Sequence, residues 1–228
     1  MSLEPSVVAV PRVLPAWVSV VSLYLDECDE AAASIPLPPA YLRASAERQR
    51  AYRTGRYCAS RALEQLGLSG AWPGVNERGA PAWPDGTVGS ITHAMSLVSA
   101  AAAARRQCAG IGIDIEAIAS LERAHVLASR AATSPEVFAV MDSMKADYAT
   151  AVALIVAAKH AFYKCLHPQV GRLFGYLDAA IEDAQWSTNR FRARLKVMLS
   201  PSWVGGTTVT GQWEVAGDFV HTGIGIPR

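Results

Sequence analysis

The chain has 228 residues, room for one compact unit or two halves of roughly a hundred residues each, with a sizeable core. Hydrophobic residues at 51% and charged residues at 18% exclude a disordered or fibrous chain. With 21 basic and 20 acidic residues the net charge is +1, which excludes the diffuse attraction that general nucleic-acid binding needs, so any polyanion must be small and locally met. Cys28, Cys58, Cys108 and Cys165 are widely spaced, with no C-x-x-C or zinc-spaced cluster, and predict a reduced, cytoplasmic setting.

Residues 7–25 are apolar, but Pro11, Arg12 and Pro15 interrupt them and no basic segment precedes them, so a buried strand is expected, not a signal peptide. The strand signal is strongest over 18–25, and Pro36, Pro38 and Pro39 then mark a loop. Over 41–66 the spacing is helical. At about 100° per residue Ala44, Ala51, Tyr52, Ala59, Ala62, Leu63 and Leu66 form one arc, with Arg43, Arg50, Arg53 and Arg61 opposite. Arg48 falls within the apolar arc, Arg56 at its edge, and Gly55 weakens the expectation of one unbroken helix. Residues 70–89, rich in Gly, Pro and Trp, predict an ordered loop leading into Ser90-Ile91-Thr92-His93.

Residues 97–104 and 110–116 are short apolar strands joined by Arg105-Arg106-Gln107, a predicted hairpin. A mixed, Ala-rich region follows to about 144, with a helix start at Ser134-Pro135-Glu136. A longer helix over 147–166 is expected to end before His167-Pro168. Alternation at 191–197, 207–215 and 219–226 predicts antiparallel strands, so the class is α+β. The longest weakly polar runs, 94–104 and 149–158, fall short of the about 20 residues a spanning helix needs, and no membrane span is expected.

Three groups of residues point to chemistry. In Gly110-Ile111-Gly112-Ile113-Asp114-Ile115-Glu116, strand alternation sends the isoleucines to one face and both carboxylates to the other. Two carboxylates in one small space suit Mg²⁺, though solvated acids on an exposed strand edge show the same pattern. On the long helix, Lys159, His160, Tyr163 and Lys164 form one continuous face, able to hold a phosphate and manage a proton. Cations opposing a helix dipole give the same strip. Finally, Arg48 on an apolar arc must be paired if buried, and with Arg56 it offers forked donors that fit phosphate; an Arg–carboxylate pair is the structural alternative. Ser90, Thr92 and His93 add hydroxyl and imidazole donors, His93 being equally readable as a core histidine.

Read together, Gly55-Arg56-Tyr57-Cys58-Ala59-Ser60-Arg61-Ala62-Leu63, the W-P-D-G-x-x-G-S-I-T-H stretch from Trp83 to His93, Gly112-Ile113-Asp114-Ile115-Glu116, and Lys159 to Lys164 resemble the 4′-phosphopantetheinyl transferases. The resemblance is to the monomeric type serving siderophore and other peptide or polyketide synthases.

That resemblance implies two pseudo-symmetric α/β halves, 1–109 and 110–228, with coenzyme A and Mg²⁺ (or Mn²⁺) in a cleft between them. It implies transfer of phosphopantetheine to a serine of an acyl or peptidyl carrier protein, releasing adenosine 3′,5′-bisphosphate, with no nucleic acid or membrane as partner. By motif, Asp114 and Glu116 correspond to metal ligands. Arg48, Arg56, Ser90, Thr92, His93, Lys159 and Lys164 correspond to coenzyme A contacts, and Arg78 more loosely. Two departures stand out: Val156 replaces the family's aromatic residue, and His160 replaces the Glu of its Lys-Glu pair. The leading expectation is an active enzyme in which His160 completes the metal shell or accepts the serine proton, beside Lys164. The alternatives are a degenerate homologue that binds coenzyme A or a carrier without efficient transfer, and an unrelated metal-dependent hydrolase built on Asp114 and Glu116.

Overall fold

The computed structural model describes residues 5–228. In chain order its elements are β1 (Ser19–Tyr24), α1 (Asp29–Ala32), α2 (Ala46–Glu64), β2 (Gly74–Val75), β3 (Pro81–Ala82), β4 (Thr87–Ala94), β5 (Leu97–Ala104), β6 (Cys108–Ala117), α3 (Leu121–Ala131), α4 (Ser134–Met144), α5 (Tyr148–Val170), β7 (Ala179–Gln185), β8 (Arg190–Leu195), β9 (Thr208–Ala216) and β10 (Phe219–Pro227). Single-turn 3-10 helices occupy Leu25–Glu27, Pro39–Tyr41 and Tyr176–Asp178. Helices with antiparallel sheets make the class α+β, as the sequence pattern predicts. The chain divides into two compact units at 109/110, with residues 11–15 grouped with the second and Arg228 with the first.

In the first unit β1, β5 and β4 form an antiparallel sheet in the order β1-β5-β4. The helix α2 packs its Cys58, Ala59, Ala62 and Leu63 onto the face bearing Val21, Leu23, Val98, Ala100 and Ala102. Its first residue is Ala46, capped by Ser45, whose hydroxyl accepts the Arg48 N–H, five residues later than periodicity predicts because Pro39–Tyr41 forms a turn of its own. It also runs unbroken through Gly55. A Cβ there would lie 2.9 Å from Ile91 Cγ2, so this glycine serves close helix–strand approach. Opposite the apolar arc, Arg50 bonds Asp29 at 2.7 Å and Arg53 bonds the Ile35 carbonyl at 3.2 Å, tying the helix to the segment around α1.

Four further expectations are corrected. Residues 7–18 are not strand, and Val7 is 64% exposed. Within 70–89 lie β2, β3 and the start of β4, a strand that the apolar pattern misses because its buried positions include Thr87, Ser90 and Thr92. The hairpin partner of β5 is β4, through a turn with Met95 at φ 51, whereas β6 joins the other sheet. Finally, α5 continues through Pro168 to Val170 and ends at Gly171, φ 60, whose N–H bonds the His167 carbonyl at 2.9 Å; near its end a helix loses little to one proline.

The second unit is a five-stranded antiparallel sheet, β6-β10-β9-β8-β7, covered by α5. Leu154, Ile155, Phe162 and Leu166 of the helix share one core with Phe191, Leu195, Trp213 and Ile224 of the sheet and with Val137, Val140 and Met144 of α4. By length and a mean hydropathy of 1.3, α5 suits a membrane-crossing helix, which inspection of single apolar runs overlooks, but 72% of that stretch is buried inside the protein. Buried to that extent and apolar outside the strip Lys159, His160, Tyr163 and Lys164, it is a core helix.

Candidate active site

Along β6, Gly110, Gly112, Asp114 and Glu116 share the face turned to α5, while Ile111, Ile113 and Ile115 are buried on the other, the alternation expected from sequence. A Cβ on Gly112 would overlap the Ala161 carbonyl, and one on Gly110 would lie 2.7 Å from the Cys165 carbonyl oxygen. Two missing side chains therefore let the strand and helix backbones close up. The next residue on that face, Asp114, meets the helix at His160 and Lys164.

Asp114 is 5% exposed and fully engaged. Lys164 Nζ donates to Oδ1 at 2.6 Å and to the Ile113 carbonyl at 3.1 Å, His160 Nδ1 lies 3.1 Å from Oδ2, and the Thr222 hydroxyl donates to the Asp114 carbonyl at 3.3 Å. The phenol of Tyr176 bonds His160 Nε2 on the other side of the ring. Burial by itself raises the Asp114 pKa, but the Lys164 charge and the His160 contact outweigh it and leave the carboxyl below its ordinary value. Glu116 goes the other way, raised first by burial and then by the Asp114 charge. Burial, then Asp114 and Glu116, also raises the Tyr176 phenol and keeps it protonated.

Ligand atoms of Asp114, Glu116 and His160 all lie within 4.8 Å of one another. Opposite ligands of a cation with bonds near 2.1 Å are about 4.2 Å apart, so this set fits a divalent cation after small rotations. Two carboxylates and one neutral nitrogen suit Mg²⁺ or Mn²⁺, the nitrogen tilting preference toward Mn²⁺.

Lys159 does not join this cluster. Its side chain is buried, with Nζ 2.8 Å from the Ala131 carbonyl and 2.9 Å from the Glu136 carboxylate. Glu136 also closes the α4 capping box with Thr133 and accepts the Ile181 N–H at 2.7 Å. The T-x-x-E pattern Thr133 to Glu136 carries that signal in the sequence, but the reach to Lys159 and β7 does not. Tyr176, 16 residues beyond His160, has no sequence signal at all.

The arginines belong to a cavity of about 460 Å³ in the first unit, lined by Tyr41, Arg48, Tyr52, Arg56, Ile91 and His93 among others. Arg56 is buried, its guanidinium 4.5 Å from the Tyr52 ring and bonded to the Gly74 carbonyl at 3.2 Å, and its Nε has no partner among the described residues. Burial lowers its pKa, with Tyr52 and Tyr41 opposing, and an arginine keeps its charge regardless. Arg48 is exposed instead of buried, stacked 5.6 Å from the Tyr41 ring, so the expected need for a buried partner falls away. On β4, His93 shares the cavity face with Ile91, whereas the buried Ser90 and Thr92 point to the opposite face and do not line this cavity. Arg78 is exposed in the β2–β3 turn, beside Gly79 of the cavity wall. A smaller cavity of about 220 Å³ in the second unit is walled by His160, Tyr163, Phe174 and Tyr176.

The family model for the 4′-phosphopantetheinyl transferase N-terminal domain matches residues 38–113, and that for the 4′-phosphopantetheinyl transferase superfamily matches residues 110–220. The 4′-phosphopantetheinyl transferase PptT of Mycobacterium tuberculosis is 32% identical over 227 residues, covering 94% of this chain and 96% of that protein. The 4′-phosphopantetheinyl transferase Npt of Nocardia iowensis is 33% identical over 226 residues, 94% of this chain and 98% of that one. Enterobactin synthase component D of Salmonella typhi is 30% identical over 185 residues, 79% of this chain and 74% of that protein. The chain belongs to the 4′-phosphopantetheinyl transferase superfamily.

Proposed function

We propose that the protein transfers the 4′-phosphopantetheine arm of coenzyme A to a serine hydroxyl of an acyl or peptidyl carrier protein, releasing adenosine 3′,5′-bisphosphate. The observation that carries this reading is the Asp114–Glu116–His160 cluster locked to Lys164, in a chain similar over 94% of its length to phosphopantetheinyl transferases. A divalent cation, Mg²⁺ or Mn²⁺, held by the three residues supplies charge neutralisation for a pyrophosphate.

The chain's own residues do the rest. Lys164 fixes Asp114 through Oδ1 and leaves Oδ2 toward the cluster. His160 Nδ1 lies with Asp114 and Glu116 in the cluster while its Nε2 is held by Tyr176, the arrangement of a histidine that ligates through one nitrogen and is oriented through the other, which supports a ligand role. Arg56, with an unused buried N–H, and the exposed Arg48 and His93 offer donors for the phosphates of coenzyme A. Phosphoryl transfer of this kind needs positioning and charge neutralisation more than covalent help, and the nucleophile belongs to the carrier. Service to siderophore or other secondary-metabolite synthases is supported by the similarity to enterobactin synthase component D. Four buried cysteines, none of them in a disulfide, support a reducing, cytoplasmic setting, and a metal cluster drawn from one chain supports a monomer.

The test is incubation with an apo carrier domain, coenzyme A and Mg²⁺, followed by mass measurement of the carrier. A phosphopantetheine mass gain, abolished by chelation, is expected. An unmodified carrier, or coenzyme A cleaved without carrier modification, overturns the reading.

A further inference from the structure

We infer that Tyr176 is a positioning residue for His160: its phenol holds the imidazole by Nε2 so that Nδ1 is presented to the cation site beside Asp114. The inference rests on the reading of His160 as a cation ligand and concerns a residue outside the three-residue cluster.

Tyr176 opens the single-turn helix that follows α5, and its backbone is firmly held. Asp178 at the end of that turn accepts the Gly175 N–H at 2.7 Å through its side chain and the Lys196 N–H at 2.7 Å through its carbonyl. The Tyr176 ring lies 5.1 Å from the His160 ring, centroid to centroid, with the hydroxyl on Nε2. On the opposite side Nδ1 faces Asp114 Oδ2 at 3.1 Å.

A neutral imidazole has one N–H and one lone pair. The ionised Asp114 can only accept, so in a neutral ring with no cation bound the geometry places the proton on Nδ1, with the Tyr176 hydroxyl donating to Nε2. Ligation through Nδ1 requires the opposite tautomer, with Nε2–H donating to the phenol oxygen. A hydroxyl serves both states by rotating its own proton, which a carboxylate or a phenyl ring in that place does not. The balance is neutral: one proton leaves Nδ1, one reaches Nε2 through solvent, and Tyr176 keeps its own. The 3.1 Å separation of Nδ1 and Oδ2 suits both states. It is a hydrogen-bond length, and adjacent ligands about 90° apart on bonds near 2.1 Å are separated by roughly 3.0 Å. An outer partner on the remaining ring nitrogen is what a metal-binding histidine requires.

The experiment measures Mn²⁺ affinity by electron paramagnetic resonance, without coenzyme A or carrier, for the wild type, Tyr176→Phe, His160→Glu and the double variant, each checked for folding by its melting curve. Tyr176→Phe is expected to weaken Mn²⁺ binding about tenfold or more, and to change nothing in the His160→Glu background, where no tautomer needs fixing. In the wild type labelled with ¹⁵N-histidine, Mg²⁺ is expected to move the His160 proton from Nδ1 to Nε2. Unchanged Mn²⁺ affinity in folded Tyr176→Phe, equal losses in both backgrounds, or an unmoved proton overturns the inference. Full Mn²⁺ affinity in His160→Gln would instead defeat the ligand reading beneath it.

Discussion

Lys164 Nζ lies 2.6 Å from Asp114 Oδ1 and 3.1 Å from the carbonyl oxygen of Ile113, so one ammonium on α5 grips both the backbone and the side chain of β6. That grip explains how a carboxyl group 5% exposed stays ionised. It also leaves the two acids unequal. Asp114 has a cation in direct contact, whereas Glu116 is raised by burial and by the Asp114 charge, with His160, Arg123 and Lys164 only partly opposing.

Substitution of Asp114 separates chemistry from packing. Asp114 is buried and paired with Lys164, so Asp114→Ala leaves a half-buried ammonium without its carboxylate. Asp114→Asn keeps the shape and is the cleaner variant. It should fold, by circular dichroism, and lose Mg²⁺-dependent transfer by several kcal/mol of barrier, about 10²–10³-fold or more. Near-normal turnover at saturating Mg²⁺ refutes the metal assignment.

Acid stability should be governed in part by His221 on β10. This side chain is 4% exposed, and burial pushes its pKa from 6.5 down to about 4. Between those values the unfolded chain binds a proton that the folded protein refuses, so the stability from the neutral buried ring is complete above pH 6.5 and is lost as pH falls through about 4. The full loss is about 3 kcal/mol. Urea denaturation across this range should show a pH-dependent drop in wild type that is smaller by that amount in His221→Gln. Identical pH profiles for the two proteins rule the assignment out.

How much of this was legible beforehand depends on how far each signal reaches along the chain. The alternation in β6 places Asp114 and Glu116 on one face from sequence alone, and the i, i+4 spacing places His160 and Lys164 on one face of α5. That these two faces meet follows from Gly110 and Gly112, whose role shows only once a helix backbone lies where their side chains would be. Lys159 has the same local pattern as Lys164, yet Glu136, 23 residues away, claims it. Arg48 sits on the apolar arc but in the first turn of α2, where the helix end opens to solvent. The separation of Ser90 and Thr92 from His93 follows from the strand character of β4, which its polar buried residues conceal.

Arg56 and Arg48 of α2 and Arg43 of the turn before it should be unequal. Arg56 is buried against Tyr52 with an N–H left over, so Arg56→Ala should weaken coenzyme A binding by about 1.5–3 kcal/mol, the range for charge-assisted hydrogen bonds. Arg48→Ala should cost less than Arg56→Ala, because exposed charges are screened. Arg43→Ala, on an exposed residue outside the cavity lining, should be near neutral. Calorimetry showing equal losses at the three positions defeats the cavity as the phosphate site.

The carrier should dock on the exposed side of α3 and α4. Both helices are anchored next to His160, since the Ala131 carbonyl at the end of α3 and Glu136 in α4 together hold Lys159, the preceding residue. The structure divides five large apolar residues of these two helices, Leu121, Val126, Leu127, Val137 and Phe138. Val137 is 2% exposed and belongs to the core, Leu127 is partly buried, and Leu121, Val126 and Phe138 are 58%, 51% and 62% exposed. Exposed apolar side chains lose little stability on polar substitution, whereas a buried valine replaced by a polar residue costs roughly 1–3 kcal/mol. Val126→Ser and Phe138→Ser should therefore raise KM for the apo carrier several-fold while leaving KM for coenzyme A and the melting temperature unchanged. Val137→Ser should instead lower the melting temperature. A parallel rise in both KM values for Phe138→Ser, or unchanged carrier kinetics in Val126→Ser and Phe138→Ser alike, removes these helices from the docking surface.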